Sequence, residues 1–268
     1  MDNPFQSPAI LSICPGILGL ERGLERAIGP VRTVAYVETE AFIVENLVCQ
    51  MESGILGAAP VFSDIKTFPW VHFRNKIHGI VGGYPCQPFS HVGKQLGEKD
   101  PRHLWPYICD GIVASAPVWC WFENVSNHLT IGYDQVRRDL QRIGYSVEEG
   151  IYSAEEIGAP HVRKRLFILA VDNSILSGLQ GYARDDSGEN RWQKPVRSAT
   201  ETGFPLGQGI DQYEWEEPRL KPSVGFTING YSYQEDLLRA AGNSVVEQTA
   251  ELAFIELMEK HIKNHGRK

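Results

Sequence analysis

The stretch "AILSICPGILGLERGLERAIGPVRTVAYVE", Ala9 to Glu38, carries the pattern that decides the fold. It begins with an apolar run of strand length, continues through a glycine-rich turn into an amphipathic helical segment, and ends in a second apolar run. A crossover helix between two strands places those strands parallel in one sheet. This stretch therefore predicts the first unit of an α/β fold.

The same alternation of short apolar runs and amphipathic stretches continues to about Asp172. Further strands are predicted at "IHGIVGG", "VWCWFEN", "YSVEEGIY" and "RLFILAV", and helices at "EAFIVENLVCQMES", "LWPYICDGIVASA" and "YDQVRRDLQRIG". The pattern indicates a doubly wound α/β fold built around a parallel sheet. In such a fold the ligand binds beyond the carboxyl ends of the strands.

The composition changes beyond Asp172. The stretch 173–218 is rich in Gly, Ser, Asn and Asp without a sustained period, which is typical of an irregular insertion or linker. An apolar period returns within 219–268 and predicts a closing helix. The apolar positions that support this helix are Val246, Ala250, Ala253, Ile255 and Leu257. We therefore divide the chain into 1–172, 173–218 and 219–268.

Composition narrows the class of protein. The 268 residues carry a formal net charge of −7, which argues mildly against a protein that simply coats nucleic acid but leaves room for a local basic cleft. The chain has no apolar run of membrane-spanning length and no signal-peptide pattern, so we expect a cytoplasmic protein. The 5 cysteines include no CxxC pair, so free thiols and no metal are expected.

Three polar features lie where the first strands end. Gly16 and Gly19 form a turn that could admit a nucleotide-like ligand, although a packing turn is about equally consistent with them. Glu38 follows the second strand, where an acidic residue can bind a ribose hydroxyl; an exposed loop glutamate is the alternative. Asp64 suits a hydrogen bond from an adenine amino group, or a helix cap or turn.

Cys86 in "GGYPCQPFS", Gly82 to Ser90, follows another predicted strand. Pro85 and Pro88 restrict the flanking backbone, which would hold a thiol steady for attack on a positioned electrophile. A lone cysteine is more often a small buried apolar residue. That interpretation fits the other four better, namely Cys14, Cys49, Cys109 and Cys120.

Two further groups point toward acid–base or anion chemistry. Glu123 and Asn124 interrupt the apolar run "VWCWFENV", and an apolar surround should raise the pKa of the Glu123 carboxyl; a strand-end glutamate facing water is the alternative. Arg163 and Arg165 lie two residues apart at the start of "RLFILAV". Residues two apart on a strand share a face, and two guanidinium groups on one face can clamp an anion or a carbonyl oxygen. The alternative is a generic basic start of a strand, which would use lysine as readily.

Four motifs together resemble the cytosine-5 DNA methyltransferase family, of bacterial or phage type. "GGYPCQPFS" is similar to the family's nucleophile motif, "WFENV" to its glutamate-asparagine-valine motif, "HVRKR" to its arginine motif and "AAGNSVV" to its C-terminal motif. They occur in the family's order, and the opening "SICPGILGLERGLE" resembles the family's first motif. The chain departs from the family pattern at Cys14, Leu18 and His161, where phenylalanine, glycine and glutamine are usual.

The resemblance implies an S-adenosylmethionine-dependent methyltransferase fold and a role for each region. Residues 1–172 would hold catalysis and the cofactor, 173–218 would form an unusually short target recognition region, and 219–268 would pack back on the catalytic domain. It implies that the cofactor lies along Gly16, Ile17, Gly19, Glu38, Asp64, Ile65, Pro85, Leu104, Asn243 and Val245. No metal is implied.

The resemblance also implies a mechanism. Cys86 would attack carbon 6 of a cytosine flipped out of double-stranded DNA, and Glu123 would protonate or hydrogen-bond ring nitrogen 3. Arg165 would contact the base carbonyl, Arg163 would support the loop and Asn124 would brace the site. The segment from Gln87 to His103 would close over the base, and the protein would act as a monomer.

Three alternatives stay open from the sequence. The first is cytosine-5 methylation of transfer RNA, and the second is a degenerate methyltransferase that binds DNA without turnover. The third is a cysteine hydrolase in which His91 or His161 serves as the base of Cys86.

Overall fold

A seven-stranded sheet, described by a computed structural model for residues 4–85, 104–159, 161–178 and 244–265, forms the centre of the molecule. The strands are β1 (Ala9–Ile13), β2 (Arg32–Val37), β3 (Val61–Phe62), β4 (Gly79–Gly82), β5 (Trp119–Val125), β6 (Tyr145–Ser153) and β7 (Lys164–Asp172). Their order is β3-β2-β1-β4-β5-β7-β6. The α/β fold predicted from the sequence is therefore confirmed.

Helices cover both faces of this sheet. The α-helices of the described ranges are α1 (Gly19–Ile28), α2 (Ala41–Glu52), α3 (Trp105–Ser115), α4 (Tyr133–Arg142) and α5 (Glu247–His265). Short 3-10 helices lie at Trp70–Phe73, Ser126–Leu129, Ala154–Ile157 and Asn173–Gly178. None of the helices in these ranges has both the length and the apolar character needed to cross a membrane.

Each face of the sheet has its own apolar core. On one face, Leu24 of α1 and Phe254 of α5 pack with Trp119 and Trp121 of β5. On the other face, residues of α3 and α4, such as Ile108 and Leu140, pack with alternate residues of the strands. This division follows from the alternation of side chains along each strand, and it fixes the sheet between two helical layers.

The expectation of a parallel sheet is wrong at one strand. β1 to β5 pair in parallel, but β7 runs antiparallel to both of its neighbours, β5 and β6. The run "RLFILAV" is buried on both faces, so it has no alternation that would indicate the direction of the strand. β3 was not delimited as a strand from the sequence because two residues are too short to show a period, although Asp64 was expected at a strand end and does follow β3.

The C-terminal helix α5 returns to pack on α1, near the start of the chain. Arg26 Nε lies 2.7 Å from Glu251 Oε2, and Arg22 Nη1 lies 3.4 Å from Glu247 Oε1. A side chain at Gly23 would collide with Ala250, so the helices approach closely because Gly23 has no Cβ. The predicted closing helix is confirmed, while the predicted domain boundaries stay predictions because 179–243 lies outside the described residues.

The cysteines partly match their predicted environment. All four in the described ranges are free thiols, as expected. Cys109 and Cys120 are buried and Cys14 is half-buried, but Cys49 is exposed on α2, so the prediction of a buried apolar role is wrong for Cys49. The apolar periodicity of the "NLVCQ" segment is too weak to show which of its residues face solvent, so the exposure of Cys49 was not predicted.

Candidate active site at the carboxyl edge of the sheet

The order of the strands brings the predicted cofactor residues to one edge. Because β3, β2, β1 and β4 are neighbours and parallel, their carboxyl ends lie side by side. Asp64, Glu38, Gly16 and Pro85 follow these four strands in that spatial order. The sequence placed each of them at a strand end, and the sheet places those ends together.

The turn after β1 is built from residues in the left-handed region. Cys14, Gly16 and Leu18 have φ values of 50°, 55° and 69°. A Cβ at Gly16 would meet no atom within 4 Å, so space lies open beside this backbone. The turn thus offers the close backbone approach that a bound ligand needs.

Leu18 adopts a conformation that favours glycine, at a cost of about 1 kcal/mol for a residue with a Cβ. Its side chain is 2% exposed and packs with Tyr36, Ile43 and Leu47. Burial of a leucine side chain contributes about 2 kcal/mol, which outweighs the backbone cost. The departure from the family's usual glycine is therefore compatible with the turn.

Gly19 serves packing. A Cβ at Gly19 would collide with the carbonyl group of Val245, which arrives from the segment before α5. The structure therefore favours the packing alternative for Gly19 and brings Val245 to the turn after β1. Asn243, the other cofactor residue predicted in this segment, lies outside the described residues.

Glu38 is a buried carboxyl group held by backbone donors. It is 7% exposed, and its Oε1 accepts hydrogen bonds from the backbone N–H of Thr39 at 2.8 Å and of Glu40 at 2.9 Å. Burial raises the pKa of Glu38, while backbone hydrogen bonds from Glu40, Thr39 and Gly16 oppose the rise. The alternative of an exposed loop glutamate is therefore wrong.

The remaining cofactor candidates differ in exposure. Asp64 is exposed and accepts a hydrogen bond from the backbone N–H of Lys66 at 2.9 Å, so the turn role predicted as its alternative is present. Ile65 is buried. Three further candidates are half-buried: Ile17 after β1, Pro85 after β4 and Leu104 directly before α3. Their contact with a cofactor stays a prediction.

Glu123 lies at the end of β5 and is buried, with 7% of its surface exposed. Burial raises the pKa of its carboxyl to about 7, against the opposing effect of Arg165 and Arg163. Its Oε1 lies 2.8 Å from Arg165 Nε. The raised pKa predicted from the apolar surround is confirmed, so this carboxyl can hold or release a proton near neutral pH.

The two arginines reach the site differently. Val125 of β5 is paired with Arg165 of β7, so Glu123 and Arg165 are diagonal neighbours on one face of the sheet. Arg163 precedes β7 with φ of 31°, and its Nη2 donates to the carbonyl oxygen of Ser244. The strand alternation predicted for Arg163 is therefore wrong, because its backbone is not extended.

The segment that leads to Cys86 is anchored beside Glu123. A Cβ at Gly83 would lie 3.2 Å from Glu123 Oε2. One residue further along each segment, Asn124 Nδ2 donates to the carbonyl oxygen of Tyr84 at 3.0 Å, which matches the predicted bracing role of Asn124. Cys86 itself and the segment Gln87 to His103 lie outside the described residues.

Sequence reasoning missed a buried partner of this segment. The hydroxyl of Tyr84 lies 3.1 Å from His128 Nε2, and His128 Nδ1 lies 3.0 Å from the carbonyl oxygen of Ile131. Burial lowers the pKa of His128 to about 4, so the ring is neutral. The signal available in the sequence was a histidine four residues after Asn124, directly beyond the predicted strand "VWCWFEN".

The described residues have the α/β fold of the S-adenosylmethionine-dependent methyltransferases. Crystallised DNMT2 from Spodoptera frugiperda has the same fold, with a TM-score of 0.51 at 21% identity over 62% of this chain and 50% of that chain. A likeness at this identity shows the fold alone.

The chain belongs to the family described as C-5 cytosine-specific DNA methylase, whose model matches residues 9–202. The Type II methyltransferase M.NaeI of Lentzea aerocolonigenes is 31% identical over 216 residues, 79% of this chain and 49% of that protein. M.NgoMIV of Neisseria gonorrhoeae is 29% identical over 61% of this chain and 51% of that protein. The chain thus spans about half the length of these relatives.

Proposed function

We propose that this protein transfers a methyl group from S-adenosylmethionine to carbon 5 of a cytosine in double-stranded DNA, as one component of a restriction-modification system or as an independent modifier. The observation that carries the proposal is the position of Glu123. Its buried carboxyl has a pKa of about 7, touches Arg165 and lies beside Gly83, three residues before Cys86. The family membership of the chain supports the same reaction.

The proposed chemistry begins with the thiolate of Cys86. Carbon 5 of cytosine is a poor nucleophile, so the thiolate first forms a bond to carbon 6 while the Glu123 carboxyl delivers its proton to ring nitrogen 3. Carbon 5 then has enamine character and can accept a methyl group. Loss of the carbon 5 proton to water then expels the Cys86 thiolate from carbon 6. Return of the ring nitrogen 3 proton to the Glu123 carboxylate restores the neutral aromatic ring and the starting enzyme.

Arg165 and Arg163 support this site electrostatically. Arg165 touches Glu123 through Nε, and its Nη1 donates to the carbonyl oxygen of Lys164 at 3.0 Å. Its fork of N–H donors suits the oxygen on carbon 2 of the base. Arg163 ties the Ser244 backbone to the same edge, so the C-terminal segment and the arginine motif are held together.

The sheet edge described above fits the cofactor. Gly16 leaves open space beside the backbone, Glu38 offers a fixed carboxyl for a ribose hydroxyl, and Asp64 is accessible for the adenine amino group. When bound, S-adenosylmethionine supplies an electrophilic methyl group. The short target recognition region 173–218 and the closing segment Gln87 to His103 stay part of this proposal.

Incubation with labelled S-adenosylmethionine tests the proposed reaction. One arm contains duplex DNA of mixed sequence, one contains transfer RNA and one contains no nucleic acid. Label in cytosine of DNA alone is expected. Label in transfer RNA alone would instead indicate a transfer RNA cytosine-5 methyltransferase. A lack of label in both arms, together with no cofactor-dependent rise in Tm, would favour the non-catalytic binding module.

Substitution of Gly16 by alanine is expected to weaken S-adenosylmethionine binding by about 10-fold or more. The added Cβ points into space that no described residue fills, and we assign that space to the cofactor. The positive φ of 55° adds about 1 kcal/mol of backbone strain. Titration calorimetry measures the change in affinity.

Gly54→Ala is the matched control for Gly16→Ala. Gly54 has φ of 74° and equally open surroundings, but it follows α2, away from the carboxyl edge. Both variants should lose a similar amount of stability, and Gly54→Ala should retain the wild-type cofactor affinity. Equal affinities of the two variants would contradict the assignment of the space beside Gly16.

A further inference from the structure

His261 of α5 is a buried polar side chain that the proposed chemistry does not use. It has 0% of its surface exposed, and neither Nδ1 nor Nε2 has a hydrogen-bond partner among the described residues. Buried ring nitrogens without partners are costly and rare in native proteins. A group that satisfies them is therefore expected.

Two potential metal ligands lie beside His261. His265 lies one helical turn later on the same face of α5, with ring centroids 4.7 Å apart. Glu148 of β6 faces the same helix and is 5% exposed. One ligand atom from each of the three residues lies within 4.8 Å of the others, which makes this group compact enough to surround one ion.

The separation of two of these ligands already suits zinc. His265 Nε2 lies 3.3 Å from Glu148 Oε1. Two ligands of a tetrahedral zinc ion, each about 2.1 Å from the metal, lie about 3.4 Å apart. All three ligand atoms lie within 4.8 Å of one another, so the side chains must draw closer when an ion binds.

The three side chains are also of the types that bind a metal. The ring nitrogens of buried His261 have no hydrogen-bond partner among the described residues, so either nitrogen is available to an ion. Two imidazoles and a carboxylate form a set of ligands that zinc accepts.

Lys260 competes with a metal for Glu148. Lys260 Nζ lies 2.8 Å from Glu148 Oε2, and Asn264 Nδ2 lies 2.7 Å from Oε1. The Lys260 side chain is 48% exposed, so it can turn toward water when a cation arrives. Glu148, Lys260 and His265 line a cleft of about 530 Å³, which gives an ion a route from solvent.

We propose that Glu148, His261 and His265 form a site for a divalent transition metal ion, with zinc the best suited, that ties the C-terminal helix α5 to β6. The site is separate from the candidate active site. Glu148 is paired with Leu169 of β7, four residues along the strand from Arg165, or about 13 Å. The spacing of His261 and His265 on one helix is visible in the sequence, but the third ligand, Glu148, comes from the distant strand β6 and could not be assigned to it.

Binding of zinc chloride and cobalt chloride to the full chain, prepared without a histidine tag, tests the proposal. We expect one equivalent of tight binding, visible cobalt absorption bands and a Tm that rises with the concentration of zinc. His265→Ala and Glu148→Gln should each weaken binding by at least about 100-fold, since even loss of a group that orients a ligand costs 10- to 100-fold. His265→Ala is the main test variant because the His265 side chain is 33% exposed and its loss should leave the fold intact. Replacement of the buried His261 could prevent folding.

Two controls separate this site from general surface binding. His72→Ala removes an exposed histidine outside the cluster and should leave zinc binding unchanged. Lys260→Met removes the competing ammonium group and should tighten binding. Equal zinc affinity in wild type, His265→Ala and Glu148→Gln would overturn the proposal. Methyl transfer by His265→Ala is measured in parallel, and its retention would show that the two sites are independent.

Discussion

Replacement of Cys86 by serine is expected to lower methyl transfer to DNA by at least about 10⁴-fold, because the reaction cannot begin without the thiolate that adds to carbon 6. A serine hydroxyl has nearly the same size but is almost fully protonated at neutral pH. The measurement is single-turnover incorporation of label from S-adenosylmethionine, which reports on chemistry and excludes product release. Binding of the cofactor should be retained, since the serine leaves the edge of the sheet unchanged.

A covalent adduct gives a second readout for Cys86. In DNA whose target cytosine carries fluorine at carbon 5, the final loss of a proton from that carbon is blocked, so the bond between the base and the sulfur should persist. A protein–DNA band that survives denaturation is expected for wild type and not for Cys86→Ser. Such a band in Cys86→Ser would assign the nucleophile to another residue.

Cys49→Ser is the matched control for the Cys86 substitution. Cys49 is a free and exposed thiol on α2, on an element that carries none of the proposed catalytic residues. The same cysteine-to-serine change there should leave the rate and the adduct at wild-type levels. Loss of activity in both variants would indicate general damage by oxidation or unfolding and would remove the special role of Cys86.

Much of the fold could be predicted because the relevant signals are local. The alternation of apolar runs with amphipathic stretches identified β1, α1 and β2 correctly, and the apolar period after Val246 identified α5. The direction of β7 could not be predicted, because a strand buried on both faces shows no alternation and its pairing depends on distant residues. Antiparallel β7 is what brings Arg165 beside Glu123.

The site was predictable to the extent that its residues interrupt an expected pattern. Glu123 was found because a carboxyl group ended an apolar strand, and its burial followed from the same neighbours. The position of Arg163 just before β7 was predicted, but its left-handed backbone was not, because the sequence carries no mark of it. The cluster of Glu148, His261 and His265 was missed because only the packing of α5 on β6 brings the three together.

Glu123→Gln is expected to lower methyl transfer by about 10²- to 10³-fold, since a glutamine cannot deliver a proton to ring nitrogen 3. The pKa of the Glu123 carboxyl is about 7, so the protonated fraction of wild type falls as the pH rises through 7. The single-turnover rate of wild type should therefore decline above about pH 7. The residual rate of Glu123→Gln should lack this decline.

The Glu123 carboxyl should also make the free energy of unfolding decrease as the pH rises. A pKa raised from 4.5 to about 7 in the folded state means that stability from this group is fully present below about pH 4.5 and is lost as the pH rises through 7. The loss corresponds to about 3 kcal/mol. Between pH 5 and pH 8, Glu123→Gln should therefore gain stability relative to wild type, as measured by urea unfolding.

Glu21→Gln separates the catalytic part of this prediction from the structural part. Glu21 of α1 is 4% exposed, accepts a hydrogen bond from Ser12 Oγ at 2.5 Å and has its pKa raised by burial to about 7. Both glutamine variants should thus change the pH dependence of stability in the same direction. Only Glu123→Gln should also remove the pH dependence of the rate, because only Glu123 lies beside the segment that carries Cys86. A rate profile altered equally by Glu21→Gln would mean that activity follows global stability, and the assignment of Glu123 as the proton donor would fail.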